Sequence, residues 1–110
     1  MIYLTAETKI HLAVQPTDFR KQIDGHVAIT KKHLQLDPRS GALYVFINRS
    51  RTMVRIICYQ DNGYWIATKR LSAGHFQGWP SSSREAVSST TSRELNQILK
   101  GLSKEVVKSY

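Results

Sequence analysis

The stretch "VFINRSRTMVRIICYQDNGYWIATKR", residues 45–70, decides the fold. Its three apolar runs are separated by spacers long enough only for tight turns, so they read as strands paired antiparallel with their chain neighbours. Together with the preceding residues this predicts a three-stranded meander at about 43–48, 53–59 and 64–70. Asn62 and Gly63 form a dipeptide favoured in two-residue type I′ hairpin turns, while "NRSR" makes a looser turn between the first two strands. Side chains alternate across a strand, which assigns faces. One face collects Leu43, Val45, Ile47, Val54, Ile56, Cys58, Trp65 and Ala67 and reads as core. The other interleaves Tyr44, Phe46, Met53, Arg55, Ile57, Tyr59, Tyr64, Ile66, Thr68 and Arg70. A turn at Asn62–Gly63 would set Arg55 directly opposite Arg70, and like charges so placed are destabilising. An unpartnered buried charge costs several kcal/mol, so what Arg55 faces is the central question.

Working outward, "KIHLAVQ" at 9–15 alternates with Ile10, Leu12 and Val14 on one face, the pattern of an N-terminal strand. After Pro16, apolar positions Phe19, Ile23, Val27, Thr30 and Leu34 recur at helical spacing and predict a helix over about 17–34. Gly25 within it implies either close packing or a break. "LDPRSG" is a turn cluster, and "SAGHFQGWP" and "SSSREAVSSTTS" read as loop. Thr91 and Glu94 have capping-box spacing ahead of Leu95, Ile98, Leu99 and Leu102, which predicts a last helix at about 92–102. The expected class is α+β with a small antiparallel sheet, a single domain over 1–102, and a tail at 103–110 expected to fray.

Composition points to the class of partner. Sixteen Lys and Arg against eight Asp and Glu leave a net charge of +8 in 110 residues, a balance that favours polyanions or an acidic protein. The lone Cys58 cannot form an internal disulfide, the N-terminus has no signal-peptide pattern, and no apolar run approaches the roughly 20 residues of a bilayer span. A cytoplasmic protein with no membrane partner is expected. His11, His26, His33 and His75 lack metal-ligand spacing, and Asp18, Asp24, Asp61 and Glu94 are scattered. Neither a phosphate loop nor a dinucleotide fingerprint occurs. The expectation is therefore no catalytic residues, no metal and no cofactor.

The second sheet face then offers two readings. In one it binds DNA, with Arg49, Arg51, Arg55, Lys69 and Arg70 meeting phosphates and Tyr44, Tyr59 and Tyr64 stacking on bases. In the other a helix covers the face, the aromatics are core, and the arginine stems reach the rim or pair with Asp18, Asp24 or Asp61.

The blocks "PTDFRKQIDG", "DPRSGALYVFINRSR" and "KRLSAGHFQGWP", in this order and followed by "RELNQILKG", resemble the signature blocks of a transposon family. This is the TnpB-type accessory protein, the second reading-frame product of bacterial insertion sequences of the sixty-six family. Arg49, Arg55, Lys69, Arg70, Phe76 and Trp79 are among the matching positions. The resemblance implies a non-catalytic role in transposition beside a separate, larger transposase. Two partners follow as expectations: DNA, at element ends or nonspecifically, through the basic aromatic surface, or alternatively the transposase itself, docked without contact to DNA through the aromatic face or through the "RLSAGHFQGWP" segment with Phe76 and Trp79.

Overall fold

The computed structural model describes residues 2–81 and 84–101. Strands β1 (Ile10–Ala13), β2 (Leu43–Ile47), β3 (Met53–Gln60), β4 (Gly63–Arg70) and β5 (Val87–Thr90) form one five-stranded sheet in the order β4-β3-β2-β1-β5. Helix α1 (Ile23–Lys32) lies between β1 and β2 in sequence, and α2 (Ser92–Leu99) follows β5. The class is α+β, and the meander is present as β2-β3-β4.

The sheet is not wholly antiparallel. β1 pairs with β2 in parallel, Ile10 beside Leu43 and Leu12 beside Val45, because the chain crosses over through α1 before returning. β5, in a segment expected to be loop, pairs antiparallel with β1 from Ile10↔Thr90 to Ala13↔Val87. Its hydroxyl-rich "VSST" carries little core signal, and its strand conformation comes from filling an edge.

Each sheet face has its own core. On one side α2 places Leu95 and Ile98 against Ile10, Leu12, Leu43, Val45, Ile47, Val54, Ile56 and Cys58. The irregular segment before β5 adds Phe76 and Trp79 to the same layer. On the other side Phe19, Ile23, Val27 and Ile29 pack on Ala13, Tyr44, Phe46 and Ile57. β2 is thus buried along its whole length, as an uninterrupted apolar run covered on both faces should be.

Local chemistry sets the helix limits. α1 begins at Ile23, not at 17. Thr17 N–H is held by the Ile47 carbonyl at 2.8 Å, and the Asp18 carboxylate accepts the Arg20 N–H at 2.9 Å, so residues 17–21 form a turn pinned to the sheet. Gln35, at φ 56°, closes the far end, with Leu36 N–H returning to the Thr30 carbonyl at 3.1 Å. Gly25 is the close-packed alternative: a Cβ there would come 2.7 Å from Lys21 Cβ. α2 starts as expected, with the Thr91 hydroxyl accepting the Glu94 N–H at 3.1 Å, but it ends at Leu99. The expected tail at 103–110, like Leu102, lies outside the described residues.

The β3–β4 register differs from expectation by two residues. Gln60 pairs with Gly63, so the turn residues are Asp61 and Asn62, and Asp61 takes the left-handed conformation at φ 56°. Arg55 consequently stands opposite Thr68, and Arg70 opposite Met53. A shift of two leaves every side chain on its expected face. The expected core roles of Trp65 and Ala67 fail for another reason. Both are exposed, Trp65 by 49%, because β4 is an edge strand and the residues packed on that sheet face sit over β1–β3.

Candidate nucleic-acid interface

Arg55 is a clamp inside the fold. From the middle of β3 its Nε donates to the Thr68 hydroxyl at 3.0 Å, and one Nη donates to the carbonyls of Phe19 and Lys21, each at 3.3 Å. Its guanidinium lies 4.5 Å from the centroid of the Phe19 ring. A charge in an apolar strand is tolerable here because it ties the turn preceding α1 to the β3–β4 hairpin. Beneath it His26 is wholly buried, with its ring edge-on to Phe46 at 4.9 Å and to Phe19 at 5.5 Å. Its Nδ1 is 3.0 Å from the Gln22 carbonyl, which can only accept, so the proton sits on Nδ1 and the partnerless Nε2 is a bare acceptor. Burial, with the charges of Arg55 and Lys21, lowers the His26 pKa against the raising effect of that hydrogen bond.

The other expected contacts divide between the two ends of the hairpin. Lys69 projects to the α2 side and donates to the Leu99 carbonyl at the last residue of α2, a favourable place for a cation. Tyr59 and Tyr64 are cross-strand partners at the turn end, their rings 5.0 Å apart and edge-to-face, with the Arg39 guanidinium 5.1 Å from the Tyr59 centroid. Tyr44 is 1% exposed beneath the α1 layer, and its hydroxyl donates to the Asp37 carbonyl at 2.7 Å, so its ring is not available for stacking. Helix α1 thus covers the central part of the face that the alternation pattern marks as basic and aromatic.

At the opposite end a basic corner remains. Arg49 and Arg51 lie on the β2–β3 turn, with Arg51 at φ 60°, and Arg70 is brought beside them because it pairs with Met53. Arg20 comes from the turn before α1 and lines a cleft shared with Arg49, Asn48 and Ser50. Its guanidinium holds Asp18 at 2.8 Å. That contact, the Arg20 N–H and the charge of Arg49 keep the Asp18 carboxyl down at about 2. Among the described residues none of Arg49, Arg51 and Arg70 is ion-paired to a carboxylate. Arg20 falls in the resembling block "PTDFRKQIDG" but was not among the expected site residues; the "TDFR" turn that positions it is the signal that could have marked it.

Phe76 and Trp79, expected to meet a partner, are core residues, 3% and 8% exposed. Trp79 Nε1–H donates to the Ala13 carbonyl at 3.0 Å, and Phe76 N–H donates to the Arg51 carbonyl at 2.8 Å. The segment they anchor therefore braces the β2–β3 turn, aided by His75 Nδ1, which is 2.8 Å from the Ser50 carbonyl. No group of three or more His, Cys, Asp or Glu side chains that could hold a metal occurs among the described residues, and none of their helices is long and apolar enough to cross a membrane. Burial raises the Cys58 pKa, which keeps its thiol protonated.

A family profile described as "IS66 Orf2 like protein" matches residues 8–109. The chain belongs to this family. The IS66 Orf2-like assignment places it among insertion-sequence accessory proteins. Two proteins of Sinorhizobium fredii (strain NBRC 101917 / NGR234), both named uncharacterized, are similar to it. The protein y4jC is 35% identical over 68 residues, covering 62% of this chain and 58% of that protein. The protein y4hO is 30% identical over 94 residues, covering 86% of this chain and 80% of that protein. The chain thus spans under two-thirds of y4jC. No solved structure matches this IS66 Orf2-like chain.

Proposed function

We propose that this IS66 Orf2-like protein is a non-catalytic accessory factor that binds DNA through the basic corner formed by Arg49, Arg51 and Arg70. The observation that carries the reading is that the β2–β3 turn bearing Arg49 and Arg51 lies beside the Arg70 end of β4, on a chain of net charge +8, and that none of these three arginines is ion-paired to a carboxylate among the described residues. Arginine at such a site suits phosphate oxygens, and its affinity comes largely from counterion release. Tyr59 and Tyr64 lie at the other end of the hairpin, six residues along β4 from Arg70 in the case of Tyr64, or about 20 Å at strand rise. Base stacking there is therefore separate from the phosphate contacts at the corner. The rival reading, docking on the transposase through Phe76 and Trp79, would require both to leave the core.

The test is fluorescence anisotropy of a labelled duplex, carrying either an element end or random sequence, across a salt series. Arg51→Ala and Arg70→Ala should each flatten the slope of log affinity against log salt by about 0.9, the share of one phosphate contact. Arg55→Met should leave that slope unchanged, since its guanidinium is engaged within the fold. Absence of binding at low salt, or an unchanged slope in the Arg51→Ala/Arg70→Ala double variant, refutes the proposal.

A further inference from the structure

Among the described residues β4 leaves one edge of the sheet open over eight residues, twice the length of β5 at the other edge. Its hydrogen-bonding phase follows from the pairing. Leu71 N–H donates to the Thr52 carbonyl at 2.9 Å, so Gly63, Trp65, Ala67 and Lys69 turn their backbone groups toward β3. Tyr64, Ile66, Thr68 and Arg70 consequently turn theirs outward. The usual protections of an edge are largely missing. The register runs without a bulge from Met53↔Arg70 to Gln60↔Gly63, no proline interrupts it, and the two charges stand together at one end. Trp65 and Ile66, on opposite faces of the same strand, are 49% and 44% exposed.

We propose that the β4 edge pairs with β4 of a second copy of this chain, extending the sheet antiparallel across a two-fold axis at Ala67. The phase allows only registers that join outward-turned residues to one another. Among those with the greatest overlap, the one centred on Ala67 sets Arg70 opposite Tyr64 of the second copy and Ile66 opposite its Thr68. On the other face Trp65 meets Lys69, and the small side chain of Ala67 meets itself at a closely spaced, non-hydrogen-bonded pair. Arg70 therefore faces an aromatic ring instead of a like charge, while Lys69, its ammonium held at the end of α2, presents its aliphatic stem beside the indole. The sequence "GYWIATKR" is self-complementary in this sense: its aromatic end fits its own cationic end. Unsatisfied edge amides and the exposed indole are covered by one contact.

Sedimentation velocity of the full chain across the micromolar range tests this. The wild type should run as a dimer that tightens as salt rises, because salt screens the repulsion between two strongly positive copies; DNA binding has the opposite salt response. Ile66→Pro removes an outward N–H at an edge position where proline is tolerated, and Ile66→Lys sets a like charge diagonal to Arg70 of the second copy. Each should weaken dimerisation at least tenfold while far-ultraviolet circular dichroism stays unchanged. Ala67→Cys should form a disulfide between copies on mild oxidation, since its Cα atoms would be about 4.5 Å apart, whereas Thr68→Cys should not. A wild type that is monomeric throughout overturns the proposal. So does a dimer that persists in both Ile66 variants or gives no cross-link through Ala67→Cys.

Discussion

Replacing Arg55 with Met keeps much of the aliphatic stem and removes the guanidinium, so it isolates the clamp. The lost interactions are one good hydrogen bond to Thr68, two long ones to the Phe19 and Lys21 carbonyls, and the contact with the Phe19 ring. Taking about 1 kcal/mol for the first, about 0.5 for each long bond and about 0.5–1 for the ring gives a loss of roughly 2.5–3 kcal/mol. That corresponds to a fall in melting temperature on the order of 10 °C for a domain of this size. Urea unfolding at neutral pH measures it. Arg55→Lys retains charge but loses the fork, so it should recover less than half of the deficit. In a double-mutant cycle with Thr68→Val, coupling should be about 1 kcal/mol. Hydrogen exchange should locate the loosened region at residues 17–22, whose turn the guanidinium holds from the far side. A loss below about 0.5 kcal/mol in Arg55→Met, within the range of ordinary surface substitutions, would refute the clamp and restore Arg55 as a free contact residue.

His26 supplies a pH dependence: its folded pKa is lowered from 6.5, so its contribution to stability is complete above pH 6.5 and is lost as pH falls through the lowered folded value. Urea midpoints across this window should fall in the wild type and stay flatter in His26→Leu; identical slopes would count against the buried neutral imidazole. Trp79→Phe leaves the buried Ala13 carbonyl without its indole donor and should cost about 1–3 kcal/mol in urea unfolding. Any loss of partner binding in that variant must then track the unfolded fraction, and weakened binding by a variant of undiminished stability would reopen the docking reading.

The meander was legible because its signals are local: alternating apolar residues, short spacers and a turn-forming "DNG". Which turn residue takes positive φ was not. Asp, Asn and Gly all tolerate the left-handed region, and here Asp61 occupies it while Gly63 joins the strand. β5 escaped notice because its strand character depends on β1, more than seventy residues away in sequence. Alternation correctly assigned Trp65 to the α2 side but could not say how far a cover would extend. An eight-residue helix is only about 12 Å long, and the core it joins stops at β3. The same limit applied to the candidate site. Arginines and tyrosines were placed on one face, yet only tertiary structure shows that α1 covers Tyr44, that Arg55 grips the turn before α1, and that Lys69 caps α2.

Arg70 belongs to both proposals, which makes it a poor sole witness for either. At the corner it would meet phosphate; across the β4 edge it would lie over Tyr64 of a second copy. Arg51 belongs to the corner alone, because it lies on the β2–β3 turn, and Ile66 belongs to the edge alone, because it sits at mid-strand. The pair Arg51→Ala and Ile66→Lys therefore separates the two sites. In the proposed dimer the two Arg70 positions lie six residues apart along the paired strands, or about 20 Å, roughly six base-pair steps of duplex. Two corners at that spacing could engage one duplex together, and linked binding of this kind strengthens affinity without a new contact. Ile66→Lys should then weaken DNA binding despite its added positive charge, an outcome that charge alone would reverse.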